Sequence, residues 1–464
     1  MTSNVWGQWA ASQKPRGPTM REAAVFYRNL EEALDVRRRD NGLYVPMKNT
    51  WIEGLSIDFC SNDSLSFGGS GRLRKAFDEE MGQNPQVQLG SCGSRLLEGN
   101  YRYIESVEEE IARYHGVEAA LIVGSGAISN YAVLEAVPRP GDAIIYDELV
   151  HGSIVDGIAR SLAGTRVSFA HNDVEAFRDA LIQVQDSQPL IKQGKKCALI
   201  VVESFYSMDG DMAPLRELVQ AAKEVFPRGN AQFVVDEAHS MGVVGEGGRG
   251  FVAALKLDSE IAIRTQTFSK AFGSIGGCIL CNHTVKTAVM NFSRSVIFTA
   301  ARPLQEIAAI RAGYKLMAQV ETDEGRANIQ CMVKRFFAAA EAHPVLQEAE
   351  RSGVMSVPLA EDWQDRAFQT QLIFVWTREH YGRYLCFHLA EKSISAFAVT
   401  FPVVPKGSSR VRIVVHANQT AAQIDALVLH ISEWAQEMIQ IEKTGPVSGY
   451  ESLPWAARKI LCTE

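Results

Sequence analysis

The stretch Phe233-Val234-Val235-Asp236-Glu237-Ala238-His239 runs from an apolar strand directly into an acid and a histidine. Further along, Thr265-Gln266-Thr267-Phe268-Ser269-Lys270 runs from a second strand into a lysine. Strands that are apolar along their whole length indicate a parallel sheet with helices on both faces. Ligands of such sheets bind beyond the carboxyl ends of the strands. The two stretches therefore predict an α/β fold with a site at Asp236, His239 and Lys270.

Further strands and helices alternate around these two stretches, from about residue 60 to residue 300. The predicted strands are Ala119–Val123, Ala143–Tyr146, Val167–Phe169, Ala198–Glu203, Phe233–Asp236, Thr265–Phe268 and Gly277–Cys281. The predicted helices are Ser106–His115, Ile128–Glu135, Val174–Gln183 and Pro214–Phe226. Later segments predict many helices, strands at Leu372–Trp376 and Val411–Val415, and a closing helix at Ala421–Ile439. This order predicts a large domain followed by a smaller α+β domain.

The ends of the chain differ in character from its middle. Residues 1–20 are polar with Pro and Gly and predict a loose lead-in, whereas residues 21–39 predict an amphipathic helix with a solvated basic end at Arg37-Arg38-Arg39. We therefore expect four segments. They are an N-terminal extension and helix (1–59), a large α/β domain that carries the predicted site (60–302), a small C-terminal α+β domain (303–445) and a C-terminal tail (446–464).

Composition and charge narrow the classes of function. With 46% hydrophobic and 22% charged residues, the 464-residue chain matches ordinary globular proteins. A net charge of −7 offers no electrostatic footprint for nucleic acid. Apolar runs fall short of the roughly 20 residues of a membrane span, and neither a secretory signal nor a Ser-Lys-Leu-type C-terminus is seen. We expect a cytoplasmic protein with no membrane span and no nucleic-acid partner.

Cysteines give no sign of a metal centre. The close pair Cys278 and Cys281 lies in a predicted buried strand. Side chains three positions apart on a strand point to opposite faces, so this pair cannot chelate one ion. No second cysteine pair or histidine pair completes a zinc set. We interpret both cysteines as structural and expect no metal site.

Three features at the predicted strand ends match the needs of a pyridoxal-5′-phosphate (PLP) cofactor. Lys270 supplies the amine that carries PLP and moves a proton, and Asp236 supplies the carboxylate that keeps the ring nitrogen protonated. The small-residue turn Gly124-Ser125-Gly126-Ala127-Ile128 opens a helix, whose first amides suit a phosphate. Singly, these features are typical of an exposed lysine, a helix cap and a loop. Together and in this order they favour PLP binding.

Five motifs resemble those of the α-oxoamine synthases, a family of PLP enzymes. They are Gly90-Ser91-Cys92-Gly93-Ser94-Arg95-Leu96-Leu97-Glu98-Gly99, Tyr206-Ser207-Met208-Asp209-Gly210-Asp211, Asp236-Glu237-Ala238-His239-Ser240-Met241-Gly242, Gly245-Glu246-Gly247-Gly248-Arg249-Gly250 and Thr267-Phe268-Ser269-Lys270. The resemblance extends from about Phe26 to Ile439. It implies the PLP-dependent transferase fold type I, with a large, mostly parallel sheet domain and a smaller α+β C-terminal domain.

The resemblance also implies a role for each matching residue. Lys270 carries the cofactor, Asp236 pairs with the pyridine nitrogen, His239 and Ser207 contact the phenolic oxygen, and His151 stacks on the ring. Ser125, Gly126, Ala127 and Thr267 contact the phosphate, and Thr299 reaches the phosphate of a neighbouring subunit, which implies a homodimer with shared active sites. Arg412, Asn62 and Ser94 bind the amino-acid substrate, Arg412 by pairing with its carboxylate.

The chain departs from the family pattern at three places. Ser64-Leu65-Ser66 stands where the family usually has Tyr-Leu-Gly, and Gly126-Ala127-Ile128 lacks a common aromatic residue. A histidine that often follows the glycine-rich motif is replaced near Ile104. We expect these positions to line the entrance for the acyl substrate, where they weaken the expectation of a standard substrate.

The implied reaction is the decarboxylative condensation of an amino acid with an acyl thioester of CoA or a carrier protein, which gives an α-amino ketone. L-Alanine is the first expectation, with L-serine or glycine as alternatives. One hypothesis is an 8-amino-7-oxononanoate synthase of biotin biosynthesis. Its rival is a secondary-metabolism enzyme that couples an amino acid to a long acyl or polyketide chain. A non-catalytic partner subunit and a plain aminotransferase are the alternatives from other classes.

Overall fold

The computed structural model describes residues 2–40, 42–43, 54–84, 88–444 and 453–461. They divide into two compact units. The larger unit comprises Asn62–Gln330 and His416–Asn418, and the smaller one comprises Met1–Ser61, Cys331–Val415 and Gln419–Glu464. Much of the predicted tail 446–464, including its last three residues, lies outside the described residues. The four segment boundaries drawn from the sequence stay predictions.

In these described ranges, eighteen α-helices and thirteen strands follow one another along the chain. The helices are α1 Thr2–Ser12, α2 Val25–Arg39, α3 Arg72–Gly82, α4 Arg102–His115, α5 Gly126–Ala136, α6 Gly152–Arg160, α7 Val174–Ser187, α8 Pro189–Lys192, α9 Leu215–Val225, α10 Phe251–Ala254, α11 His283–Phe292, α12 Arg294–Ile297, α13 Leu304–Met317, α14 Val320–Ala342, α15 Pro344–Arg351, α16 Tyr381–Glu391, α17 Ala421–Thr444 and α18 Trp455–Leu461. The strands are β1 Ile57–Asp58, β2 Ala119–Val123, β3 Ala143–Asp147, β4 Thr165–Phe169, β5 Ala198–Glu203, β6 Ala231–Asp236, β7 Ile261–Thr267, β8 Gly277–Cys281, β9 Met355–Ser356, β10 Leu372–Thr377, β11 Ile394–Ser395, β12 Phe397–Val399 and β13 Arg410–Val414.

A seven-stranded sheet forms the larger unit, in the order β2-β8-β7-β6-β5-β3-β4. Strands β3 to β7 are parallel where they pair, and β8 is antiparallel to both its neighbours. Every residue of β2, β5 and β8 is buried, because helices cover the sheet. All seven predicted strands are present, so the predicted mostly parallel sheet is confirmed. The antiparallel direction of β8 cannot be predicted from its sequence, because β8 is apolar and buried throughout, as is β2 at the edge of the sheet.

The smaller unit holds a four-stranded antiparallel sheet in the order β12-β13-β10-β9. Strand β10 and the closing helix α17 match their predictions, whereas β9, β11 and β12 span only two or three residues and carry no readable pattern.

Cysteines 278 and 281 lie buried on β8 of the larger unit, as expected. Within the described residues, we find no helix that has both the length and the apolar character of a membrane span.

The N-terminal residues correct the prediction of a loose lead-in over residues 1–20. Helix α1 packs with α16 and α18 through an aromatic cluster, in which the Trp6 and Phe387 ring centroids are 4.8 Å apart. The predicted solvated end of α2 is also only partly right. Arg38 is 5% exposed and pairs with Asp35 at 2.5 Å, and Asp35 accepts hydrogen bonds from the backbone of Arg16 and Gly17. Long-range packing of this kind leaves no local trace in the sequence.

Candidate active site

Asp236 and Lys270 follow neighbouring parallel strands, so their side chains leave the same edge of the sheet. Asp236 ends β6, and Lys270 lies three residues beyond the end of β7. The Nζ atom of Lys270 is 2.8 Å from Nε2 of His239, which is buried. The Asp236 carboxylate, also buried, accepts a hydrogen bond from the backbone amide of Ala238 at 2.8 Å. The structure therefore brings together the three residues around which the sequence predicts the site.

His151 lies on the loop between β3 and α6, where it caps that helix. Its Nδ1 atom accepts a hydrogen bond from the backbone amide of Ser153 at 3.1 Å and lies 2.8 Å from the Ser153 hydroxyl. Part of the His151 surface is exposed. Burial of the rest of the side chain lowers its pKa, and the positive charge of Lys270 lowers the pKa further. The negative charge of Asp236 acts in the opposite direction but does not reverse the shift. His151 is therefore a neutral, oriented imidazole at pH 7.

The N-terminus of α5 lies directly against the end of β7. Ser125 caps this helix by accepting a hydrogen bond from the amide of Ile128 at 3.2 Å. A Cβ atom on Gly126 would stand only 2.7 Å from Cβ of Thr267, so glycine is required for this close approach. The amides of Gly126 and Ala127 belong to the first turn, whose N–H groups have no partner within their own helix. The Thr267 hydroxyl adds a further polar group 2.9 Å from the Ser269 hydroxyl.

Glu203 is a second buried carboxyl group, and the sequence did not single it out. It ends β5 and is the direct neighbour of Asp236 in the sheet register. Burial raises its pKa well above the usual range, and the charge of Asp236 raises it further. Glu203 also accepts backbone hydrogen bonds from His151 and from Ser207, which is itself buried. It therefore ties the His151 loop and the Ser207 loop to the end of one strand.

His171 contacts a carboxylate beside each of these two loops, one through each ring nitrogen. Nδ1 of His171 is 2.9 Å from the buried Asp147 carboxylate, and its Nε2 is 2.8 Å from Asp211. Burial alone would lower the pKa of His171, but the hydrogen bonds and charges of the two carboxylates raise it to about 10. Its ring also packs edge-on against Tyr206, with the ring centroids 4.4 Å apart. We call His171, Asp147 and Asp211 the His171 clamp.

Ser94 and Thr299 lie on two neighbouring segments of the larger unit. Ser94 pairs with Ala300 in an antiparallel bridge, and the amide of Ala301 donates to the carbonyl of Gly93 at 2.8 Å. Thr299 is exposed. The Oγ atom of Ser94 is buried and finds no hydrogen-bond partner among the described residues. The bridge thus holds the two predicted site residues on neighbouring segments.

The remaining predicted substrate residues are Asn62 and Arg412. Asn62, in the larger unit, is partly buried and its carbonyl accepts a hydrogen bond from the amide of Ser64. Arg412 lies on β13 of the smaller unit, partly buried, and burial lowers its pKa. Its Nε atom has no hydrogen-bond acceptor in the part of the chain that the structure describes. Arg410, by contrast, stacks on Trp376 with its guanidinium carbon 3.7 Å from the ring centroid.

The three departures from the family pattern are all at positions in the larger unit. Ser64, Ser66 and Ile104 are at most 6% exposed, and Ile104 is completely buried. Ala127 is only partly buried. That these positions line an acyl entrance therefore stays a prediction.

One cluster of potential metal ligands lies in the smaller unit. His388 on α16 and His430 and Glu433 on α17 place one ligand atom each within 4.8 Å of one another. Oε2 of Glu433, however, is 3.0 Å from both His430 Nδ1 and Lys392 Nζ. Because a lysine ammonium already neutralises this carboxylate, we interpret the cluster as a charge-paired contact between two helices.

The residues at the strand ends fit PLP. They offer an amine on Lys270, a buried carboxylate on Asp236 and the N-terminus of α5. That N-terminus lies close to Thr267 because residue 126 is a glycine. These groups match the aldehyde, the pyridine nitrogen and the phosphate of the cofactor. The chemistry of the side chains thus agrees with the cofactor that the sequence predicts.

Comparison with known proteins agrees with this fit. The family model for aminotransferase class I and II matches residues 56–431. The chain is 46% identical to aminoacyl transferase sphA of Aspergillus fumigatus over 97% of its own length and 96% of the relative. It is 35% identical to 8-amino-7-oxononanoate synthase of Emericella nidulans over 88% of its own length and 96% of the relative.

A solved structure of serine palmitoyltransferase with PLP is also similar. It matches with a TM-score of 0.67 and 26% identity, over 82% of this chain and 87% of that one. The predicted fold type I, the enzyme class and the PLP cofactor are thereby confirmed. The chain belongs to the α-oxoamine synthase family of aminotransferase class I and II enzymes, and its cofactor is PLP.

Proposed function

We propose that this enzyme condenses an amino acid with an acyl thioester, with loss of CO₂, to give an α-amino ketone. The observation that carries the proposal is the 2.8 Å approach of Lys270 Nζ to His239 Nε2 beside the buried Asp236. A partner subunit without activity would not need an intact lysine, acid and histidine at these strand ends. A plain aminotransferase would need no acyl thioester, which makes thioester consumption the decisive measurement.

The proposed chemistry divides among the residues at the strand ends. PLP, when bound, supplies an electron sink that stabilises negative charge on the α-carbon of the amino acid. Lys270 removes the α-proton with Nζ and later returns a proton to the product. The Asp236 carboxylate keeps the ring nitrogen protonated. His239 and Ser207 hold the phenolic oxygen, and the exposed ring of His151 packs against the cofactor.

The phosphate and the amino-acid substrate are assigned to the remaining residues. Ser125, Gly126, Ala127 and Thr267 are the proposed phosphate contacts, since the first turn of α5 and a hydroxyl group meet there. Ser94 and Asn62 are proposed to contact the amino acid, and both have a side-chain oxygen without a partner among the described residues. Arg412 is the proposed partner of the substrate carboxylate, because its Nε atom likewise lacks a described acceptor.

A homodimer is part of the proposal. Thr299, the residue proposed to reach the phosphate of a second copy, is exposed, and its neighbour Phe298 is 71% exposed. Leu97 and Leu89, on the segment bridged to residue 300, are 66% and 86% exposed. Apolar side chains of this size and exposure favour a surface that a second copy covers. We also propose a cytoplasmic location.

Two acyl donors fit the family. One is a pimeloyl thioester, as an 8-amino-7-oxononanoate synthase of biotin biosynthesis would use. The other is a longer acyl or polyketide chain on CoA or a carrier protein, in secondary metabolism. Identity to aminoacyl transferase sphA is 46%, against 35% to 8-amino-7-oxononanoate synthase, so the chain is less similar to the relative that is named for the biotin-pathway product. We therefore propose the second donor as the first to test. L-Alanine is the proposed amino acid, with L-serine next and glycine last.

The test has two parts. Borohydride reduction followed by peptide mass analysis is expected to find a pyridoxyl group on Lys270, and Lys270→Ala removes it while the exposed Lys195→Ala does not. Thiol release is then followed with alanine, serine or glycine and a series of acyl thioesters. Label on Lys286 or on no lysine contradicts the site, and turnover that consumes no thioester contradicts the condensation.

A further inference from the structure

Asn130 is a buried polar residue on α5 that none of the roles above uses. It is 4% exposed, on a helix whose neighbouring positions Ala132 and Val133 are fully buried and apolar. Its Nδ2 group donates to Oδ2 of Asp236 at 2.8 Å and to the hydroxyl of Ser153 at 3.0 Å. The side chain therefore connects the carboxylate assigned to the pyridine nitrogen with the residue that orients His151.

The hydrogen bonds around Asn130 have a fixed direction. The Thr265 hydroxyl, which is 1% exposed, donates to Oδ1 of Asn130 at 2.7 Å. The two Nδ2 hydrogens are then directed at Asp236 and Ser153, one to each. Every polar atom of this amide side chain is thus used, which is the arrangement that holds a buried amide in a single orientation.

The direction continues to His151. Because the Ser153 hydroxyl accepts from Asn130, its own hydrogen is free to go to Nδ1 of His151, 2.8 Å away. The backbone amide of Ser153, which can only donate, points at the same Nδ1 atom from 3.1 Å. Nδ1 is therefore the acceptor, and the neutral ring carries its hydrogen on Nε2.

We propose that Asn130 is a positioning residue that holds the Asp236 carboxylate in place and, through Ser153, keeps His151 as the Nε2–H tautomer. The assignment of Asp236 and His151 to the cofactor rests on the function proposed above. The hydrogen-bond chain itself does not, because it is built from this chain's own residues. A purely structural Asn130 would affect stability alone and leave both the tautomer and the cofactor affinity unchanged.

The experiment compares three variants. Asn130→Ala removes both branches of the chain, Ser153→Ala removes only the branch to His151, and Asn291→Ala is a control at an exposed helical asparagine. The ¹⁵N chemical shifts of His151, assigned with His151→Gln, report which ring nitrogen carries the hydrogen. The dissociation constant of PLP is measured from the cofactor absorbance.

We expect the wild type to show the Nε2–H tautomer. Asn130→Ala is expected to give a mixture of tautomers and to weaken PLP binding roughly tenfold, the effect of one hydrogen bond to an ionised group. Ser153→Ala is expected to leave a measurable minor fraction of the Nδ1–H tautomer, because the backbone amide of residue 153 then remains as the one donor to Nδ1 in place of two. PLP binding is expected to change less than about twofold, since the bond from Asn130 to Asp236 remains. Asn291→Ala changes neither.

A wild-type protein whose His151 carries its hydrogen on Nδ1 overturns the proposal. A Ser153→Ala protein with the same tautomer populations as the wild type also overturns it. These two measurements decide the matter even where Asn130→Ala fails to fold. A folded Asn130→Ala protein with wild-type affinity for PLP also overturns it. Because the tautomer is read without cofactor, the two tautomer outcomes are independent of the pyridoxyl mapping, whose failure would remove the proposed function and leave the hydrogen-bond chain intact.

Discussion

Replacing His171 by glutamine is expected to destabilise the enzyme most at neutral and acidic pH. The His171 clamp holds an imidazolium between Asp147 and Asp211, at 2.9 and 2.8 Å. Glutamine keeps most of the size of the side chain and one hydrogen bond, but it removes the positive charge. The buried Asp147 carboxylate, which is 1% exposed, then loses its cationic partner. Loss of one partner of a buried ion pair is the costly case.

The size of the effect follows from the raised pKa. The difference between the ordinary value of 6.5 and about 10 corresponds to about 5 kcal/mol if no solvent screens the charges. Solvent does reach the clamp, because Asp211 is 30% exposed and His171 18% exposed. We therefore expect about 2 kcal/mol, or roughly 4 °C in Tm for a folding unit of this size.

The dependence on pH has a definite sign. A histidine with a higher pKa in the folded state binds its proton more tightly there, so its contribution to stability is complete below pH 6.5. The contribution declines as pH rises and is lost as pH passes about 10. Thermal unfolding of the wild type and of His171→Gln is measured from pH 6 to pH 10, with the exposed His283→Gln as control. A Tm difference that stays constant or grows toward pH 10 would refute the reasoning.

Three substitutions and one sedimentation measurement test the site and the assembly. Asp236→Asn is expected to keep the pyridoxyl label but to slow turnover at least about a hundredfold, the effect of one preorganised charge, as steady-state rates would show. Gly126→Ala forces a Cβ against Thr267 and should weaken PLP binding by absorbance titration, whereas Gly152→Ala, which meets open space, should not. Ser94→Thr adds a methyl group at a proposed contact of the amino acid, so the preference for glycine over alanine in α-proton exchange should rise by about 1–3 kcal/mol. An unchanged ratio of the two exchange rates would count against this expectation. Sedimentation of the active enzyme should give a dimer, and full activity at 51.1 kDa would contradict shared active sites.

The sheet and the residues at its edge could be predicted from the sequence because both depend on local pattern. Strand β5, Ala198–Glu203, is apolar except for its last residue, and every position of it is buried. The change from apolar to polar residues marks the end of such a strand in the sequence. The carboxyl ends of parallel strands lie at the same edge of the sheet. Asp236 and Lys270 could therefore be assigned to one site from the sequence, with a parallel sheet as the only assumption.

Strand direction and the short strands could not be predicted in the same way. Strand β8 has the same all-buried pattern as the parallel strand β5, although it runs antiparallel to its own neighbours. Helix α1 depends on contacts between Trp6, Trp9 and Phe387, which are far apart in the chain. Side-chain patterns record how much of a segment is buried, and they do not record which partner buries it.

The residues that support the site were missed for a related reason, with one instructive exception. Glu203 bonds to the distant His151, and His171 bonds to the distant Asp147 and Asp211. No residue near them in the chain indicates those partners. Asn130 is different, because an amide on the buried face of a helix must find hydrogen-bond partners. The buried face of α5 lies against strands that end at the proposed site, and one of the partners, Asp236, belongs to that site. A polar residue on the buried face of a helix whose N-terminus is the proposed phosphate site is thus a signal that a single sequence carries.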